Sequence, residues 1–215
     1  MKTTTKKIIA TITAIAAITT SLCACSDEQT SSVGTNGSVG TTTPVTENAS
    51  MQTLVDSQMD NLVKQSERFY TIYLRCKIDT EEYDYSLLVE DGNGFKYAPV
   101  KEFTSISQMK AETEKYFTKE GAEKLFYTTA LEGVIPYYKE DDNGKLVVIA
   151  DYMSVGENKW VSGSAKITEE KDNTATVNVK YTDIYDLSKS ADFSVINENG
   201  TLKITNIVYN LESVE

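Results

Sequence analysis

Between residues 50 and 76, apolar side chains recur at intervals of three and four, and no proline or glycine interrupts them. Met51, Leu54, Val55, Met59, Leu62, Val63, Phe69, Tyr70, Ile72 and Tyr73 form one stripe, while Asp56, Asp60, Lys64, Glu67 and Arg68 fall on other faces. That period defines an amphipathic helix whose apolar side must be covered by other elements.

Beyond this helix the chain is first helical again and then changes period. Ile106 to Leu131 predicts a helical region broken near Thr118. Ser105 with Gln108 three residues on forms a capping box, Thr118 caps the second piece, and Gly133 stands where a helix terminates. Ala122, Leu125, Phe126, Thr129 and Ala130 are its expected inward side. From Val134 onward the apolar period is two. Val134–Tyr138 and Leu146–Ile149 flank Asp141-Asp142-Asn143-Gly144; Trp160–Thr168 and Thr174–Thr182 flank Lys171-Asp172-Asn173; Ala191–Val195 and Leu202–Ile204 flank Asn197-Glu198-Asn199-Gly200. Alternating runs around such turns predict hairpins, and the last strand is expected to run on through Ile207 to Tyr209. One further hairpin is expected over Tyr83–Val100, turning at Glu90–Gly94. Helices succeeded by a series of hairpins predict an α+β fold, with N-terminal helices packed on one face of an antiparallel sheet.

Ahead of this single domain, residues 50–215, lie two segments of different character. Residues 1–24 have the three parts of a secretory signal: Lys2, Lys6 and Lys7, then an uncharged apolar run from Ile8 to Leu22, then small residues. Leu22 three positions before Cys25 and Ala24 directly before it predict a lipoprotein processing site, with Cys25 the lipid-bearing first residue of the mature protein. Two acyl chains on that cysteine satisfy the requirement for stable anchoring. Residues 25–49 are rich in Ser, Thr and Gly and carry no large hydrophobic residue. They predict a tether of about 25–30 Å. The expected location is extracytoplasmic, on the membrane through the lipid anchor alone.

Charge and residue inventory narrow the chemistry. The chain has 21 basic and 32 acidic residues; loss of the three leader lysines leaves 18 basic residues and a net charge of −14. Such a surface repels nucleic acid. There is no histidine, which excludes Ser-His and Cys-His catalysis and histidine metal sites. Cys76 is the one thiol left in the domain, so neither an internal disulfide nor a cysteine-rich zinc site is available. Its place in an apolar helical pattern predicts an inert, buried thiol. No glycine loop comes after a strand and opens a helix to cradle phosphate. The acidic clusters Asp79, Glu81, Glu82, Asp84 and Glu140, Asp141, Asp142 lack the spacing of a calcium loop and are read as turn chemistry. The expectation is a protein that is not an enzyme and uses no cofactor and no metal.

Thirteen tyrosines against six phenylalanines suggest a binding surface. Tyr137, Tyr138, Tyr152 and Trp160 fall in or beside the hairpin that carries Glu140, Asp141 and Asp142, which marks these seven residues as the candidate partner-binding set. Edge tyrosines of a half-exposed sheet are the competing explanation.

The stretch Tyr116–Lys203 resembles the secreted DL-endopeptidase inhibitor family of Gram-positive bacteria. The resemblance is carried by Tyr116-Phe117-Thr118-Lys119-Glu120-Gly121-Ala122-Glu123-Lys124-Leu125, Tyr138-Lys139-Glu140, Asn143-Gly144-Lys145-Leu146, Trp160, Thr176–Val179 and Glu198-Asn199-Gly200-Thr201-Leu202-Lys203-Ile204. It implies a helix-plus-curved-sheet domain whose cleft plugs the active site of cysteine-dependent cell-wall hydrolases. The chain is also similar to the broader NTF2-like and cystatin-like domains, which implies as an alternative a pocket for a small ligand or a peptidoglycan fragment. The expected partner is therefore a cell-wall hydrolase or a peptidoglycan-derived ligand.

Overall fold

The long stripe forms α1 (Met51–Arg75), opened by Ser50, whose hydroxyl accepts from the Thr53 amide. The computed structural model describes residues 49–150 and 156–210; the leader, Cys25 and the tether up to residue 48 lie outside them, as do Tyr152 and residues 211–215. Leu54, Met59, Phe69 and Tyr73 are each at most 1% exposed, so the stripe is a core face. Cys76 does not continue the helix. It ends it, in the left-handed conformation at φ 52° that a helix terminus favours, and burial pushes its thiol up to about 12. A thiol held protonated to that degree is a poor nucleophile, as expected of an inert cysteine. Among the described residues no helix is long and apolar enough to cross a membrane.

Two further helical pieces come next. In α2 (Ile106–Thr113) the Ser105 hydroxyl accepts from the Gln108 amide. Gln108 Oε1 reaches back to the amide and hydroxyl of Thr104, one residue earlier than a strict capping box. Thr118 caps α3 (Lys119–Ala122), which runs through a π-helical turn (Glu123–Tyr127) into α4 (Thr128–Ala130). The π turn corrects the expected inward side. One extra residue in the turn rotates everything after it, so Phe126 and Tyr127 are both buried in succession and Thr129 faces solvent. Gly133 stands beyond the end of α4 without a positive φ; a Cβ there would come 2.9 Å from the Thr129 carbonyl, so close approach explains the glycine.

The strands are antiparallel throughout and fall into two sheets. The smaller has the order β1 (Tyr97–Pro99), β3 (Leu146–Ile149), β2 (Tyr138–Glu140), with β2 and β3 joined by the expected Asp141–Gly144 turn. In the larger, β4 (Lys159–Trp160) and β5 (Lys166–Lys171) both pair with β6 (Thr174–Thr182), which continues into β7 (Ser188–Glu198) and β8 (Thr201–Asn210). Val177, Val179, Ala191, Phe193 and Val195 turn inward. Register shifts at Ile167/Glu169 and Ser194/Val195 bend the strands. The result is an α+β fold with a strongly curled antiparallel sheet, compatible with NTF2-like and cystatin-like architecture. Gln58 fastens α1 to the turn between β7 and β8, donating to the Gly200 carbonyl at 2.8 Å and accepting from the Leu202 amide at 2.9 Å.

The hairpin expected over Tyr83–Val100 does not form. Tyr85–Leu87 is a 3₁₀ turn capped by Asp84, and a single bridge, Glu90 to Lys96, remains of the pairing. The sequence alternation is real, but the edge it would have joined is occupied. The Glu81 amide donates to the Pro99 carbonyl and the Lys101 amide to the Asp79 carbonyl, so the chain just after α1 takes the free side of β1. Leu87 and Val89 are left 78% and 85% exposed. The strand expected over Val134–Tyr138 likewise starts only at Tyr138, and Val134 is exposed.

The segments Tyr116–Leu125 and Glu198–Ile204 meet in the fold. Phe117 bridges Ile204 in parallel, the Thr118 amide donates to the Ile204 carbonyl at 3.0 Å, and the Ile204 amide donates to the Tyr116 carbonyl at 2.8 Å. Gly121 makes this contact possible, since a Cβ there would lie 2.8 and 2.9 Å from the carbonyl oxygens of Ile204 and Thr205. Backbone atoms on both sides cannot yield cheaply. Gly121→Ala is therefore expected to destabilise the domain by about 2–3 kcal/mol, within the range of overpacking changes. Urea unfolding of the variant measures it; a loss below about 0.5 kcal/mol would mean that β8 slides away freely.

Candidate functional site

Residues 60, 63, 64, 67, 68, 71 and 72 succeed one another at alternating steps of three and one, which places them along a single face of α1. That face is not the centre of the core. It forms the floor of a cleft of about 880 Å³. One wall comes from Trp160, Val161 and Ser162 with Val179 of β6; the other from Lys77, Ile78 and Asp79 just after α1, with Glu102 and Glu157 at the rim. Val63, Ile72 and Val179 are at most 4% exposed and make the bottom apolar.

The charged side chains around this floor are mostly tied to one another. Asp60 accepts from the Ser162 hydroxyl and, at 3.1 Å, from the Gly163 amide, pinning the turn between β4 and β5 against α1. Arg68 pairs with Glu102, and Lys77 with Glu157 at 2.7 Å. Glu67 is the most enclosed of the set. It accepts from the Trp160 indole N–H at 3.1 Å and pairs with Arg75 at 3.4 Å. Arg75 lies over the Tyr70 ring at 4.9 Å, and its Nε has no hydrogen-bond partner among the described residues. Trp160 is held from behind by Tyr181 and Phe193, with centroids at 5.0 and 5.4 Å. Once these links are made, the lining charges left without a hydrogen-bond or ion-pair partner among the described residues are Lys64 and Asp79.

The Ser162 hydroxyl, and after it the Gly163 amide, hold the Asp60 carboxyl below its ordinary value of 3.8. A depressed native pKa means the link contributes above the ordinary value and is lost as pH falls through the native one. The Gly163 amide resonance is thus expected to titrate with a midpoint below pH 3.8, and Asp60→Asn to abolish that titration. A midpoint at or above the ordinary value would show that the turn is not pinned in solution.

Of the seven residues singled out from the sequence, Trp160 lies in this cleft. Tyr138 does not reach the surface: it is 0% exposed and its hydroxyl donates to the Ile72 carbonyl at 2.7 Å. Tyr137 is half-buried between the two sheets' cores. Glu140 serves α2, accepting from the Ile106 amide at 3.0 Å. Asp141 organises its own turn through the Asn143 and Lys145 amides, with Asp142 exposed beside it. Tyr152 lies outside the described residues. The hairpin and Trp160 therefore do not make one aromatic and acidic surface. Asp60, Lys64, Glu67 and Arg68 surround the cleft floor instead; their i, i+4, i+7, i+8 spacing was visible in the sequence but reads equally as a solvated helix face.

The fold and site together define an α+β domain with a ligand-sized cleft laid along its longest helix. Compared with known proteins, the sequence matches no family model and no curated protein.

Proposed function

We propose that this chain is a non-enzymatic, extracytoplasmic binding protein, lipid-anchored at Cys25, and that the cleft on α1 is its binding site. One observation carries the reading: a cavity of about 880 Å³ with an apolar floor and a few convergent charges. Its size falls within the ~300–1,000 Å³ typical of ligand sites. The expected ligand is derived from the cell wall, in keeping with an export signal and a wall-facing tether. A cell-wall DL-endopeptidase is the second reading, supported by the way the Tyr116–Leu125 and Glu198–Ile204 segments that carry the family resemblance join as one unit at Ile204.

Purified peptidoglycan and secreted DL-endopeptidases test both. The full-length protein is expected to be retained on peptidoglycan, and a variant with Lys64→Glu and Val161→Glu, both exposed cleft positions, to lose retention while keeping its fold. Slowed lysis by the endopeptidases, relieved in the same variant, would instead support the hydrolase reading. Undiminished lysis with no retention removes both.

A further inference from the structure

The dimensions of the cleft restrict what fits it. Its floor runs from Asp60 to Ile72, which at 1.5 Å per residue is about 18 Å of helix. An extended polypeptide strand rises ~3.3 Å per residue, so about five residues fill the length.

The polar groups point the same way. The carboxylates of Asp60, Glu67, Glu102 and Glu157 already have donors, so the strong negative charge of the chain is not what the cleft offers a ligand. Among the described residues it offers one free cation, Lys64, in the N-terminal half of the floor, and one free carboxylate, Asp79, beyond the C-terminal cap of α1. A free peptide of about five residues carries a carboxylate and an ammonium group at its two ends. An internal loop of a protein carries neither. A neutral sugar chain has no carboxylate to meet Lys64 and no ammonium to meet Asp79.

We infer that the cleft binds a short free peptide of about five residues in extended form, its C-terminal carboxylate on Lys64, its ammonium end toward Asp79, and its apolar side chains on Val63, Ile72 and Val179. This deepens the binding reading above and rests on it.

Trp160 is the one tryptophan of the chain and stands in the cleft wall, so its emission reports occupancy. The full-length protein in detergent is titrated with a pool of tryptophan-free pentapeptides bearing free C termini, with the same pool amidated at the C terminus, and with tetra-N-acetylglucosamine. The free-acid pool is expected to shift the emission saturably. Amidation, and separately Lys64→Gln, should each weaken binding about tenfold. Binding indifferent to both changes overturns the assignment of Lys64. A response to the sugar and not to the peptides overturns the peptide and leaves the cleft as a binding site. No response to any of the three overturns the inference, and slowed DL-endopeptidase lysis by that same protein would show that the hydrolase reading survives without it.

Discussion

Truncation of Tyr73 to alanine is expected to destabilise the domain by about 3–5 kcal/mol, the range for removing a fully buried aromatic side chain. For a domain of this size each kcal/mol is worth roughly 2–4 °C, so the melting temperature should fall by roughly 10 °C. Tyr73 is 0% exposed and joins the elements on that side of the core. It stacks on Phe126 at 5.3 Å and meets Tyr127 and Tyr138 edge-on at 5.6 and 6.2 Å, so α1, the π turn and β2 all lose a contact surface at once. Its hydroxyl meets Thr113 Oγ1 at 3.1 Å, but that oxygen also donates to the Met109 carbonyl. Tyr73→Phe therefore strands no buried group and should cost about 1 kcal/mol, the net worth of an ordinary hydrogen bond. Urea unfolding of both variants, with the slope unchanged, separates packing from hydrogen bonding. If alanine costs no more than phenylalanine, this aromatic cluster does not organise the core.

Sequence reasoning located such elements well wherever a local signal agreed with the tertiary context. α1 from the stripe, α2 and α3 from Ser105 and Thr118, and β6 to β8 from alternation and Asn-Gly turns were all readable, because cap, period and burial agree there. It failed where a tertiary competitor decided. Tyr85, Leu87 and Val89 alternate like a strand, but Asp79–Glu81 had already taken the edge of β1. The inward side of Glu123–Ala130 shifted at the π turn, which no residue in it announces. The cleft was hidden for a different reason. Charged residues of the same helix face surround its apolar floor, and only the positions of Trp160, Ser162 and Gly163 across from them distinguish a binding cleft from a solvated face. Trp160 was picked out as an aromatic beside the acidic hairpin, a surface it does not share, and it stands in the cleft by way of Glu67, which the sequence did not mark.

That partnership is expected to give the second large effect. Glu67→Ala should destabilise the protein by about 3 kcal/mol, because it leaves a buried cation uncompensated. The Arg75 and Glu67 side chains are 8% and 13% exposed, and Nε of Arg75 is already without a partner among the described residues. The Tyr70 ring beneath the guanidinium persists and keeps the loss at the low end of what breaking a buried pair brings. Glu67→Gln keeps an acceptor for the Trp160 N–H and removes only the charge, so it should be milder than alanine yet still harmful. Arg75→Met combined with Glu67→Gln removes both charges while filling similar volume. This double variant should be more stable than Glu67→Ala alone, since replacing a buried pair with apolar groups is often neutral or stabilising. Trp160 emission distinguishes the roles: it should move in Glu67→Ala, where the indole loses its acceptor, and stay near the native value in Glu67→Gln. Equal stability of the alanine and glutamine variants, with additive single and double changes, would show that Glu67 and Arg75 are independent. In that case the cleft floor is held by Asp60 and the apolar residues alone, and Trp160 is positioned by Tyr181 and Phe193 rather than by the carboxylate.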